Sequence, residues 1–170
     1  GAEVARYANA GVVTPEQVIR TKRKPLIAPP PEAGRLEDFR AGVKAALEAY
    51  AADYRGYFER QNARVGGGRR MLDAVPRVIL VPGLGQFALG RTLKEARIAA
   101  DFGENAANAI ADAEAIGSYE PIGEDDSFDV EYWPLEQAKL GKEVEKPLAR
   151  QVVAVTGGGS GIGAATAEAF

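Results

Sequence analysis

Cysteine and histidine are both absent from the 170 residues, and methionine and tryptophan occur once each. Without cysteine there is no disulfide and no thiolate metal site. Without histidine, a zinc site would have to be built from carboxylates alone, which is not the usual donor set. A Ser-His-Asp relay is excluded for the same reason. No apolar run is long enough to span a bilayer, and no basic stretch followed by an apolar one opens the chain. Charge of one sign is missing too. The formal net charge is -3, too small to give the basic field that nucleic-acid binding requires. These absences lead to the expectation of a cytoplasmic protein with neither a membrane nor a nucleic acid as partner.

Hydrophobic residues make up 46% of the chain and charged residues 26%, ordinary values for a folded domain. The length suits one domain, or one domain plus a fragment. It is enough to bury roughly two-thirds of the unfolded surface.

"VTPEQVIRTK" reads as a short helix, with Thr14 as N-cap, Pro15 at the first helical position and Gln17 at the capping-box position. "PLIAPPPEAG" breaks regular structure and is expected to be an extended connector. The strongest helix signal follows. Leu36, Phe39, Val43, Leu47, Tyr50, Tyr54, Tyr57 and Phe58 recur at three- and four-residue steps. That stripe is expected to be core or interface, with a substrate role for one tyrosine as the alternative. "RVGGGRR" could approach an anion through its glycines, but no strand leads into it, and a surface loop is expected.

Val78 to Val81 form a short apolar run between prolines, followed by turn chemistry in "PGLG" and a second short strand in "QFAL". Together they predict a hairpin. Thr92 and Glu95 make a capping box at the start of a long alanine-rich helix that Gly117 closes. Gly103 inside that helix suggests a close backbone approach or a weak point. Next comes an acidic patch of Glu120, Glu124, Asp125, Asp126, Asp129 and Glu131. Its spacing does not fit an EF-hand, so a solvated loop entering a short helix near "EYWPLEQAKL" is expected. Phe128, Tyr132, Trp133 and Leu135 would dock this segment onto a neighbouring surface.

The last residues, "QVVAVTGGGSGIGAATAEAF", read as a buried-type strand, a glycine turn and a helix. In such a unit the glycines allow a tight turn close to a pyrophosphate. The helix N-terminus then presents free N–H groups and a positive dipole end to the anion. Thr156, Gly157, Gly158, Gly159, Ser160, Gly161, Ile162 and Gly163 follow the order T-G-x-x-x-G-I-G. This segment resembles the opening of the short-chain dehydrogenase/reductase family. The resemblance implies NAD or NADP binding in the full-length parent, and no cofactor bound to this chain alone. The expected cofactor-binding residues are Gly157, Gly159, Ser160, Gly161, Ile162 and Gly163. The family's catalytic Tyr-x-x-x-Lys would fall after Phe170, so no catalytic residue is assigned here. The expectation is a truncated chain.

"VPGLGQFALGRTLKEARIAADFGENAANAI" is similar to the closing part of class II aldolases, with Gly90, Arg91, Thr92, Glu95 and Ala96 matching. Where that family carries a metal-binding Asn-His-Gly, this chain has Pro82-Gly83-Leu84-Gly85, and no metal ligand is assigned. The order of "TPEQVIRTKRKPL", "PRVILVPGLGQFALGRTLKEARIAADF", "FDVEYWPLEQAKL" and "TGGGSGIG" resembles the bifunctional rhamnulose-1-phosphate aldolase/short-chain dehydrogenase proteins over nearly the whole chain. The implied fold class is α/β: an aldolase-like α/β module without metal ligands over 1–140, a linker over 141–150, and the first βα unit of a Rossmann-type domain over 151–170.

The implied function is that of a fragment of an NAD(P)-dependent oxidoreductase of sugar or hydroxy-aldehyde metabolism, not competent by itself. A noncatalytic scaffold or oligomerisation module is the alternative. A metal-dependent aldolase with histidines upstream is the third. A carbohydrate-type substrate in the parent and a homo-oligomer are the expected partners.

Overall fold

The computed structural model describes residues 2–138 and 151–170. The expected linker at 141–150 lies outside them. The element order is α1 (Ala2–Asn9), α2 (Pro15–Thr21), β1 (Leu26–Ile27), α3 (Leu36–Arg64), β2 (Val78–Val81), β3 (Gly85–Ala88), α4 (Leu93–Ile116), α5 (Glu124–Glu131), α6 (Pro134–Ala138) and α7 (Gly161–Ala169). The class is mixed α/β, rich in helix, with a small sheet in the order β1-β2-β3.

The hairpin forms as its turn residues dictate. β2 and β3 pair antiparallel, with Ile79 opposite Phe87 and Val81 opposite Gly85. β1 adds to the other edge of β2 in parallel, Leu26 beside Ile79 and Ile27 beside Leu80. The proline-rich stretch was expected to carry no regular structure, and this short strand corrects that. Parallel partners need a long crossover, and α3 supplies it. Leu26 and Ala28 are buried where α3 lays Phe39, Val43, Leu47 and Tyr50 over them. The Tyr50 hydroxyl donates to the Lys24 carbonyl at 3.0 Å and ties α3 to the approach to β1.

The stripe on α3 therefore serves two cores. Its first half covers the sheet, except for Leu36, which is exposed. Its second half, Tyr54, Tyr57 and Phe58, packs on Phe128 and Tyr132. Phe128 and Tyr132 stack with centroids 4.5 Å apart, and Tyr57 meets Phe128 edge-on at 5.7 Å. Burial of each such ring contributes about 1.5–3 kcal/mol.

The acidic patch is not a solvated loop. Glu124, Asp125 and Asp126 form the first turn of α5, where negative charge complements the helix dipole. Glu124 is bound by Arg23 and Arg60, each at 3.1 Å, and Arg64 pairs with Asp129. Sequence periodicity missed α5 because its polar residues face the arginines of α3 and leave only a short apolar face. α1 was also not foreseen. α4 begins as expected at Thr92, whose hydroxyl accepts the Glu95 N–H at 3.2 Å. Of its residues only Ala99 and Ile110 are fully buried. Gly103 faces the Gln86 side chain, the close approach that its place in the helix suggested.

The expected strand before the glycine turn is absent. Residues 151–155 are not in a strand, and Val152 and Val153 are exposed. A strand needs a neighbour to satisfy its backbone, and none among the described residues pairs with this segment. α7 forms after it but buries no residue.

Gly11 sits at φ +94, and a Cβ there would lie 2.6 Å from the Pro121 side chain. Gly11→Ala is expected to cost about 1–3 kcal/mol, and Thr92→Ala about 1 kcal/mol, both measured by urea unfolding.

Candidate functional site

The predicted cofactor residues come together at one turn. Gly157 and Gly161 have φ values of +74 and +55, the left-handed region that favours glycine. Ser160 is the N-cap of α7, with its side chain not engaged in capping. The first backbone bond into the helix runs from the Ala164 N–H to the Ser160 carbonyl, so the N–H groups of Gly161, Ile162 and Gly163 point out of the helix end. A Cβ on Gly163 would stand 2.2 Å from the Gly157 carbonyl oxygen, so only glycine lets the helix close on the turn. A Cβ on Gly159 or Gly161 would meet nothing within 4 Å. Ile162 is 88% exposed.

A second constellation was not foreseen. Glu131, at the end of α5, is completely buried. Its Oε1 accepts from the Tyr54 hydroxyl at 2.7 Å and its Oε2 from the Tyr57 hydroxyl at 3.0 Å. The Tyr54 and Tyr132 hydroxyls share a hydrogen bond at 2.7 Å, and the Leu72 N–H donates to Tyr132 at 3.2 Å. Lys22, also buried, brings its Nζ to 3.9 Å from Oε1 and 4.2 Å from the centre of the Tyr54 ring. A carboxylate and an ammonium are thus enclosed with a cage of three tyrosines.

Lys22 follows the last residue of α2 with φ 71 and ψ 169. It is the one non-glycine residue with positive φ among those described. Such a conformation is nearly exclusive to glycine and costs about 1–3 kcal/mol. Tertiary contacts hold the lysine there, because its backbone N–H still bonds the Val18 carbonyl and its side chain is clamped below.

Burial dominates the titration of this group. It lowers the Lys22 ammonium to about 8, against the attraction of Glu131 and Asp73. It raises the Glu131 carboxyl, against Lys22, Tyr54 and Tyr57. Both shifts favour the neutral forms, as expected when desolvation outweighs pairing. Burial and the nearby carboxylate also raise Tyr54 and Tyr57, and raise Tyr132 to about 12.

Two clefts flank this core. One, of about 210 Å³, is lined by Lys22, Leu72, Asp73, Arg77, Gly90 and Glu95 among others. Arg77 binds Asp73 at 2.7 Å. Burial works to raise the Asp73 carboxyl, but Arg77 and Lys22 hold it low. The other cleft, of about 640 Å³, lies between α1, α4 and the hairpin, with a mostly apolar lining that includes Tyr7, Val78, Leu80 and Ile110. Pro82, Gly83 and Gly85 border it, where the aldolase resemblance would place a metal-binding histidine. Among the described residues no group of His, Cys, Asp and Glu side chains is arranged to hold a metal ion. No described helix is long and apolar enough to cross a membrane.

Residues 1–140 match the family described as aldolase class II, second domain, and the chain belongs to that family. It is also similar to the uncharacterized oxidoreductase YuxG of Bacillus subtilis (strain 168), with 32% identity over 162 residues. That match covers 94% of this chain and 23% of the relative, so the chain spans under a quarter of the relative's length. No solved structure matches.

Two measurements check the buried pair. Removing one partner of such a pair costs about 3–5 kcal/mol, so Glu131→Leu is expected to lower unfolding stability by that order. Lys22→Met/Glu131→Leu should recover part of the loss. For Lys22 the sign is set by a folded value of about 8 below the unfolded 10.5. The unfolded state binds more protons between them, so this lysine makes stability rise with pH across that window. Above about pH 10 the raised tyrosines reverse the trend, because unfolding then releases phenol protons. Urea midpoints from pH 7 to 11, with Lys22→Met as reference, read both limbs.

Proposed function

We propose that the chain is part of an NAD(P)-dependent oxidoreductase of sugar or hydroxy-aldehyde metabolism. It supplies an aldolase-type module and the first phosphate-binding turn of a short-chain dehydrogenase-like unit. The observation that carries this reading is the turn itself. The reading is supported by left-handed Gly157 and Gly161 and by Gly163 packed on the Gly157 carbonyl, an arrangement that leaves the N–H end of α7 open to an anion. The family match and the oxidoreductase name of the relative support it at a coarser level. Gly157, Gly159, Ser160, Gly161, Ile162 and Gly163 would hold the phosphates. A bound nicotinamide would supply hydride transfer, and the residues that direct it are not among those described. Whether NAD or NADP is preferred is a matter for residues outside the turn.

A second reading, an assembly role for the aldolase-type module, is favoured by one observation. Leu84, Phe87 and Leu93, on the hairpin and at the start of α4, are each more than half exposed. Such residues suit a covered interface better than water. Sedimentation of Phe87→Lys against the parent is expected to show a weakened self-association. Equal sedimentation would remove this reading.

The cofactor reading is tested on the protein expressed from its whole reading frame. NADH and NADPH fluorescence titrations are expected to saturate with one of the two. Gly163→Val, which forces a side chain onto the Gly157 carbonyl, should weaken binding at least about tenfold. Binding that is absent, or indifferent to the substitution, would sink the proposal.

A further inference from the structure

The carboxylates of α5 are engaged by Arg23, Arg60 and Arg64, and in the smaller cleft Arg77 is bound to Asp73. The larger cleft, of about 640 Å³, holds a polar group that is not engaged. Gln17 lines it and is only 8% exposed. Its Oε1 accepts the Val13 N–H at 2.8 Å. A backbone N–H can only donate, so this bond fixes which way the amide lies and turns its NH2 to the other side. Among the described residues that NH2 has no hydrogen-bond partner, yet it is not sealed off from the space beside it. A buried amide donor is ordinarily satisfied. Thr21, one turn further along the same face of α2, also lines the cleft. Its hydroxyl is already spent on the Gln17 carbonyl at 3.1 Å.

The rest of the cleft says what the partner of that NH2 is like. Gly103, Ala106, Ala107 and Ile110 line it at three- and four-residue steps, so one face of α4 forms a wall of mostly small side chains. Val78 and Leu80 of β2 add apolar surface. The carboxylates of Glu3 and Glu104 border the cleft, while Arg23, the cation that borders it, is held by Glu124 and lies over the Tyr57 ring. An anion would meet two like charges, and a charge of either sign would lose its water against apolar walls. We infer that this cleft binds a neutral aromatic molecule bearing a carbonyl oxygen. The oxygen accepts from the Gln17 NH2 and the ring lies against the α4 wall. The volume falls within the roughly 300–1,000 Å³ typical of ligand pockets, in which an apolar lining supplies affinity and a few polar groups fix orientation.

This site is independent of the glycine turn, and so is its test. The protein expressed from its whole reading frame is titrated with prodan, a neutral naphthalene that carries a propionyl carbonyl and fluoresces further to the blue when it leaves water. The titration is expected to saturate at one site, and NAD and NADP are expected not to displace the probe. Ala107 is exposed, so Ala107→Trp fills the cleft without entering the core, and it should weaken binding at least about tenfold. Gln17→Glu keeps an oxygen for the Val13 N–H and replaces the NH2 with an acceptor, and it should weaken binding about tenfold. Both variants are compared with the parent after urea unfolding shows equal midpoints. One arm needs no variant. On the parent, naphthyl methyl ketone should displace prodan at a concentration about tenfold lower than ethylnaphthalene, which has the same shape without the acceptor. Absence of saturable binding, displacement by NAD or NADP, indifference to Ala107→Trp, or equal displacement by the ketone and the hydrocarbon would each overturn the inference. So would equally tight binding of anilinonaphthalene sulfonate, an anion of similar size.

Discussion

The Glu131 carboxylate is the point on which the module's interior depends. It sits at the end of α5, is wholly enclosed, and is reached from α3 by two tyrosine hydroxyls and from the end of α2 by Lys22. Three helices with separate apolar faces are thereby fixed to one pair of oxygen atoms. The apolar packing around it is divided among small clusters rather than gathered into one core. A carboxylate that reaches α2 and α3 at once supplies the connection that the divided clusters lack. The cost is desolvation of two opposite charges, which is why both titrations move toward neutrality.

The sheet plays a supporting part. Its strands are short, and β1 is held mainly by the lid that α3 lays over it. Tyr50 marks the change along α3 from covering the sheet to facing α5. A single helix thus joins the hairpin region to the carboxylate cage.

Much of the fold was legible where short-range chemistry decides it. Thr14 and Thr92 cap the helices they were expected to cap. The α3 stripe and the hairpin follow from periodicity and turn residues. What periodicity could not reveal was paired through space. α5 looked like an acidic loop because its carboxylates answer arginines some sixty residues earlier. β1 was hidden beside three prolines because its partner lies beyond α3. The glycine turn was legible as geometry, but the strand before it was not realised, since strand character in "QVVAVT" means little without a neighbour. The Lys22 and Glu131 site was invisible for a related reason. A lysine after a short helix and a glutamate in an acidic run are each ordinary alone, and only their shared burial sets them apart.

The distance along the chain between these partners has a bearing on how the protein comes into being. Tyr54 and Glu131 are 77 residues apart, and Tyr57 and Glu131 are 74. During synthesis, Lys22 and the tyrosines leave the ribosome long before the acid that neutralises and binds them. Until then the aromatic half of α3 has nothing to close upon, and loops of that length close slowly. The nascent chain must carry an open, sticky helix face until α5 has been made. This is the interval in which a chaperone has most to do.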